Sequence, residues 1–166
     1  MGFVNEKGGR RMDVRFRRDG RFFNHRAAGI LIEQGHVLLH KQKKDAHWAL
    51  PGGGIELGED SMNTIIREVR EELGWEVEVE RTVWIAESFF PHRGEALHEV
   101  AFYYALETKE PKFRAGPFYG KEGGHLSYQW VALDDLSLHE VKPAFLKKAL
   151  LEIPDHLMHL ILKETF

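Results

Sequence analysis

Glu68, Glu71 and Glu72 are spaced by three and four residues, so on a helix they share one side of a single turn. Like charges at that spacing repel by about 0.2–0.5 kcal/mol per pair. Two partners can offset the repulsion. Arg67 stands at i, i+4 to Glu71, and three clustered carboxylates offer the oxygen ligands that Mg²⁺ or Mn²⁺ prefers. On the helix alone, a solvated, ion-paired face explains these residues as well as a cation site does. The loop upstream, Pro51-Gly52-Gly53-Gly54, adds a second element. Glycine lets backbone approach a ligand closely, and the loop feeds a helix N-terminus, which favours anions. A glycine loop for phosphate beside a carboxylate face for metal is the chemistry of a polyphosphate substrate. Taken alone, the glycine loop is equally a structural turn.

These groups need a frame. Ser61 to Leu73 reads as a helix, capped by Asp60 or Ser61 and ended by Gly74. Met62, Ile65, Ile66, Val69 and Leu73 make its apolar face. Phe22 to Glu33 and His36 to His40 read as strands joined by a Gln34-Gly35 turn. Lys41 to Ala46 reads as a charged loop, and Pro51 to Gly54 as neither strand nor helix. Trp75 to Val83, His98 to Glu107 and Ser127 to Ala132 read as strands, with Val83 to Phe90 continuing the first or beginning another. Pro111 to Gly124 is a long loop, a length often tied to function. Leu138 to Leu151 and Asp155 to Lys163 read as helices separated by Pro154. Strands, a helix, strands and terminal helices predict a mixed sheet with helices on its faces.

At 166 residues with 43% hydrophobic and 30% charged side chains, one globular domain is expected. We place an N-terminal, partly ordered extension at residues 1–20 and the domain at 21–166. A formal net charge of −3 argues against a protein that coats nucleic acid but not against binding one nucleotide. With no cysteine in the chain, disulfides, thiolate zinc sites and cysteine nucleophiles are excluded. No apolar run approaches the roughly 18 residues of a membrane span, and Met1 to Gly20 lacks the apolar stretch of a secretory signal. A cytoplasmic protein with no membrane partner is the expectation.

The segment Gly53-x5-Glu59-x7-Arg67-Glu68-Val69-x-Glu71-Glu72-x-Gly74-Trp75 resembles the Nudix box. It makes the chain similar to MutT-like Nudix hydrolases. Leu50 to Glu56 before the box and Trp130 to Leu136 near the end resemble that family too. Trp75 departs from it, standing where an aliphatic residue is usual. The resemblance implies an α/β/α sandwich around a mixed sheet. It implies Mg²⁺, with Mn²⁺ as substitute, held by Glu68, Glu71, Glu72 and the Gly52 carbonyl. Arg67 would orient the glutamates, and Glu59 would tie the start of the box to Arg67 or the metal shell. Glu56 is a weaker metal candidate.

The resemblance further implies hydrolysis of a phosphoanhydride by activated water, on a nucleoside triphosphate or on a nucleoside diphosphate linked to another moiety, such as ADP-ribose or a nucleotide sugar. Glu68 is the first choice of base; Glu122, in the long loop, leads the alternatives, followed by Glu95 and Glu99. Arg26, Gly53 and Gly54 are substrate-binding candidates. Lys41, Lys43 and Lys44 form a basic patch; Trp48, Phe89, Phe90 and Tyr119 are stacking candidates, each more often plain core or surface. Pro91, 16 residues beyond Trp75, is a weak pointer to ADP-ribose. His156 and His159 are i, i+3 on the expected last helix, without a third ligand. The expected partner is a small nucleotide-type substrate rather than nucleic acid, and a homodimer is a family-level expectation. The competing reading is a catalytically silent nucleotide-binding or regulatory module on the same fold. Isomerisation of an isoprenoid diphosphate needs a cysteine the chain lacks.

Overall fold

The computed structural model describes residues 12–164; residues 1–11 of the expected N-terminal extension lie outside them. Among the described residues, ten strands form two sheets. The larger contains β1 (Arg15–Arg18), β2 (Arg21–Ile30), β5 (Gly52–Gly54), β6 (Val77–His92), β7 (Glu95–Thr108) and β10 (Met158–Lys163), in the order β1-β2-β7-β6-β10 with β5 also paired to β2. The smaller contains β3 (Ile32–Glu33), β4 (His36–Gln42), β9 (Leu126–Ala132) and β8 (Phe118–Tyr119), in the order β3-β4-β9-β8. The larger sheet is mixed: β2 runs parallel to β7 and β10 parallel to β6, while β6–β7 and β1–β2 are antiparallel.

Alternation along the strands builds two cores. Ala27, Leu31 and Leu38 pack with Ile65, Val69 and Leu73 of helix α1 (Ser61–Leu73). Ala28, Ile30, Val37 and Leu39 pack on the opposite side with Leu136, Val141, Leu146 and Leu150. The central strands are thus covered on both faces, which is why their sequences read as continuous apolar runs. The arrangement is the expected α/β/α sandwich, with α1 on one face and the C-terminal turns on the other. Gly29 permits the close approach of α1, since a Cβ there would stand 2.4 Å from Leu106 Cδ1 and 3.2 Å from Ile65 Cγ1.

Helix α1 has the predicted ends. Asp60 accepts a hydrogen bond from the Asn63 amide, and Gly74 closes the helix at φ 72°. Ile65, Val69 and Leu73 are buried, but Met62, assigned to the apolar face, is 46% exposed. The unusual Trp75 stacks near Phe118 and Trp130, with centroids at 6.1 and 6.4 Å. An indole fits there because the neighbouring wall is itself aromatic.

Five expectations are corrected. Within Pro111 to Gly124, expected to be loop, Phe118–Tyr119 form strand β8 through pairing with β9. Gly52–Gly54, expected to be irregular, is the short strand β5, because its backbone groups pair with Ala28, Ala27 and Arg26 of β2. Strand β4 runs on to Gln42, two residues into the expected charged loop, through its pairing with β9. Over 138–151 only the four-residue helix α2 (Leu146–Ala149) forms, behind a 3₁₀ turn at Leu133–Leu138. Pro143 interrupts any longer helix. Asp155 to Lys163 is not a helix: residues 158–163 form β10, an edge strand beside β6. Short apolar runs are ambiguous between the two states, and sheet pairing decided this one. His156 and His159 consequently part company, onto Asp155 and Glu87 respectively.

Candidate active site

Strand β5 and helix α1 together build the site. Arg67, projecting from α1, is its hub. Its Nε and Nη2 donate to the two oxygens of Glu59 at 2.8 and 2.9 Å, and Nη1 donates to Glu68 at 2.7 Å and Glu71 at 3.2 Å. Nη2 also reaches the Gly54 carbonyl at 3.4 Å and lies 3.7 Å from Glu56. One guanidinium therefore joins the loop before α1, strand β5 and the acidic face of the helix. A planar five-donor group does this where an ammonium cannot. Glu59 is further held by Thr64 Oγ1 at 2.8 Å and by the Glu56 amide at 3.3 Å. These bonds, with Arg67 the largest influence, hold its carboxyl below the usual range.

Glu68 lies against strand β5. A Cβ on Gly53 would stand 2.4 Å from Glu68 Cδ and 2.6 Å from each of its oxygens, so only glycine gives the carboxylate this berth. Burial raises the Glu68 pKa; Arg67 opposes the shift, while the charges of Glu71 and Asp13 add to it. Glu72 is only 8% exposed and accepts a 2.8 Å hydrogen bond from Tyr128 Oη. Burial chiefly, with the charges of Glu68 and Glu122 behind it, pushes Glu72 up to about 7 despite that bond. The loop before β9 closes over the C-terminal end of α1, where the Lys121 amide donates to the Glu72 carbonyl at 2.6 Å.

The donors gathered here are carboxylate and backbone oxygens, a set that fits a hard divalent cation. Crowding of negative charge around half-buried Glu68 and buried Glu72 is the condition a cation would relieve. Among the described residues, no three acidic or histidine side chains already stand as a closed ligand group. Glu68 and Glu71 are turned onto Arg67, and Glu72 onto Tyr128.

A cleft of about 620 Å³ opens beside these groups, lined by Gly52, Gly53, Gly54, Glu72, Arg26 and His40 among others. Arg26 is opposite Gly54 in the β2–β5 pairing. Its Nε is buried without a hydrogen-bond partner, as is Nδ1 of His40. Burial, and secondarily the charge of Arg26, lowers the His40 pKa to about 3. The Arg26 guanidinium and the neutral His40 imidazole thus both line the cleft with the glycine strand.

The remaining sequence candidates scatter. Glu122 is exposed, 3.9 Å from His125, yet close enough for its charge to act on Glu72. Glu95 is bound to Arg17, and Glu99 accepts from Asn24, both away from the box. Trp48 is a core residue with Lys41 Nζ 4.9 Å over its ring. Phe89 stacks on His98 at 4.5 Å and Tyr119 is 66% exposed; of the stacking candidates, Phe90 alone lines the cleft system. Sequence reasoning missed Asp13, Thr64 and Tyr128. The first two carry no local signal; Tyr128 was visible only as an inward position of a strand. No helix among the described residues is long and apolar enough to cross a membrane.

Comparison with known proteins gives a consistent picture. A model of the NUDIX domain matches residues 23–152. The 8-oxo-dGTP diphosphatase of Escherichia coli (strain K12) is 30% identical over 123 residues, covering 71% of this chain and 87% of that protein. The Bacillus subtilis (strain 168) protein YjhB, provisionally named an ADP-ribose pyrophosphatase, is 32% identical over 60 residues. That match covers 36% of this chain, which spans less than a third (29%) of that relative's length. A crystal structure of a NUDIX hydrolase from Nitrosomonas europaea superposes with a TM-score of 0.62 at 18% identity, covering 99% of this chain and 100% of that one.

Proposed function

The chain belongs to the NUDIX domain family, and on that premise we propose that it is a divalent-metal-dependent pyrophosphohydrolase acting on a nucleoside di- or triphosphate derivative. The observation that carries this reading is the junction of Glu68, Glu71 and Glu59 on the single guanidinium of Arg67, directly against the glycine strand.

Glu68, Glu71 and Glu72, with the Gly52 carbonyl, would hold Mg²⁺ or Mn²⁺. When bound, such an ion neutralises phosphate charge and lowers the pKa of water. The residues of the chain supply the rest. Arg67 and Glu59 are positioning residues that fix the carboxylates before substrate arrives. Glu68 accepts the proton of the attacking water. The water oxygen bonds to phosphorus, the bridging P–O bond breaks, and the leaving phosphate departs with the electron pair. Arg26, Gly53 and Gly54 line the cleft where the phosphates would lie. Glu122 is the second choice of base, supported by its electrostatic reach to Glu72.

The test is turnover of a panel containing ADP-ribose, nucleoside triphosphates and a nucleotide sugar, with and without Mg²⁺. Metal-dependent release of a nucleoside monophosphate supports the proposal. Tight binding of a nucleotide with no turnover of any compound would support the silent module instead.

A further inference from the structure

The larger sheet carries a second, drier recess that continues the active-site cleft. It holds about 320 Å³ and shares Phe22, Asn24, Arg26, His47 and His92 with that cleft. The strand registers explain its lining. Phe22, Leu97 and Phe90 are direct neighbours across β2, β7 and β6, and in the next row so are Asn24, Glu99 and Ser88. One row further along, Arg26 stands toward the glycine strand. The recess is therefore a mouth of aromatic and aliphatic side chains over a polar floor, with a cation on its phosphate side.

The floor has an uncommon composition. Glu99 is 6% exposed. Asn24 Nδ2 donates to Glu99 Oε2 at 2.8 Å. A glutamate so deeply buried is costly unless something satisfies it. The Asn24 bond leaves Glu99 Oε1 and further lone pairs on both oxygens, and it leaves the Asn24 Oδ1 as another acceptor. Asn24 and Glu99 thus present chiefly hydrogen-bond acceptors to the recess.

Among the nucleobases, guanine presents two neighbouring donors, N1–H and the 2-amino group, on one edge. Adenine and cytosine present one amino donor beside a ring acceptor. Uracil and thymine present a single N–H between two carbonyls. Resting on the hydrolase reading above, we infer that Asn24 and Glu99 form a base-reading pocket that selects guanine-type nucleotides. The base lies between Phe22 and Phe90 with N1–H and the 2-amino group on the Glu99 carboxylate, and the phosphates run past Arg26 to the box. Aromatic rings at the mouth favour a flat base over a sugar.

The experiment measures kcat/KM with Mg²⁺ for GTP, dGTP, ATP, dATP, CTP and UTP in the wild type, Glu99→Gln and Glu99→Asp. In parallel it measures calorimetric affinity for GMP, dGMP and AMP, which contain no anhydride to cleave. The pocket predicts a guanine preference of about 10- to 100-fold over adenine, the discrimination expected of a good bidentate contact. It predicts that Glu99→Gln lowers that ratio to near unity or inverts it, because a carboxamide turns a donor toward a donor. Glu99→Asp, which keeps the carboxylate, retains part of the ratio and covers the case in which the glutamine variant does not fold. Equal use of guanine and adenine nucleotides by the wild type would overturn the inference. So would a strong ribose-over-deoxyribose preference without base preference, which would assign Glu99 to the sugar diol. GMP selectivity without hydrolysis of any triphosphate, ADP-ribose or nucleotide sugar would keep the pocket and refute the hydrolase reading. Hydrolysis without base discrimination would do the reverse.

Discussion

Arg67 and Glu59 meet fork to fork, with Nε and Nη2 donating to separate carboxylate oxygens at 2.8 and 2.9 Å. The remaining nitrogen of the same guanidinium reaches Glu68 and Glu71. The pair ties the loop ahead of α1 to the acidic helix face, so local order and catalytic geometry depend on one side chain.

Replacing that fork with a point charge separates the two. Arg67→Lys keeps the charge but cannot span Glu59 and Glu68 together. We expect urea denaturation to show a loss of about 1–3 kcal/mol, with activity falling at least tenfold. A variant as stable and active as the parent would show that the hub is ornamental.

Gly53 tests the berth of Glu68. In Gly53→Ala the new Cβ would meet the Glu68 carboxyl group at 2.4–2.6 Å. The end of a flexible side chain can swing away, so the melting temperature should move by only a few degrees. Turnover should drop by about 100-fold, because a misplacement of about 1 Å at a catalytic group costs that much. Unchanged turnover would remove Glu68 from the chemistry.

Tyr128 donates to Glu72 from the neighbouring sheet. Tyr128→Phe removes one hydroxyl and leaves the ring packing in place. Outer partners of ligating groups are worth about 10–100-fold in metal affinity. Calorimetric titration with Mg²⁺ or Mn²⁺ should show a loss in that range; an unaltered affinity would separate Glu72 from the metal.

His40 sets a pH dependence of stability. Its folded pKa is lowered to about 3 from the ordinary 6.5, first by burial and then by Arg26. The unfolded chain binds a proton more readily, so this contribution is whole above pH 6.5 and declines as pH falls toward 3. Between pH 7 and 5 the wild type should lose about 2 kcal/mol more than His40→Phe. Glu68 and Glu72, whose pKa values are raised, act in the opposite direction in both proteins and cancel in the comparison. Parallel stability profiles for the two would contradict this assignment.

The sequence made the box legible because its signals are local. Asp60 and Gly74 mark the ends of α1, and the 3.6-residue period places the three glutamates together. What stayed hidden depends on pairing between distant segments. Asn24 and Glu99 are 75 residues apart and meet only through the β2–β7 register. Tyr128 reaches Glu72 across 56 residues. Residues 158–163 read as a helix because nothing in Met-His-Leu-Ile-Leu-Lys announces the edge of β6 waiting for a strand. Gly52–Gly54 is a strand for the same reason, since β2 lends it order that its own residues lack.

The most direct measurement is Mg²⁺-dependent hydrolysis of the preferred nucleotide by wild type, Glu71→Gln and Glu72→Gln, with circular dichroism as a check on folding. The account predicts turnover that requires the metal and falls by at least 100-fold in both folded variants, the scale of losing positioned charge at a phosphoryl centre. Folded variants as active as the wild type, or wild-type turnover indifferent to chelation, would contradict it.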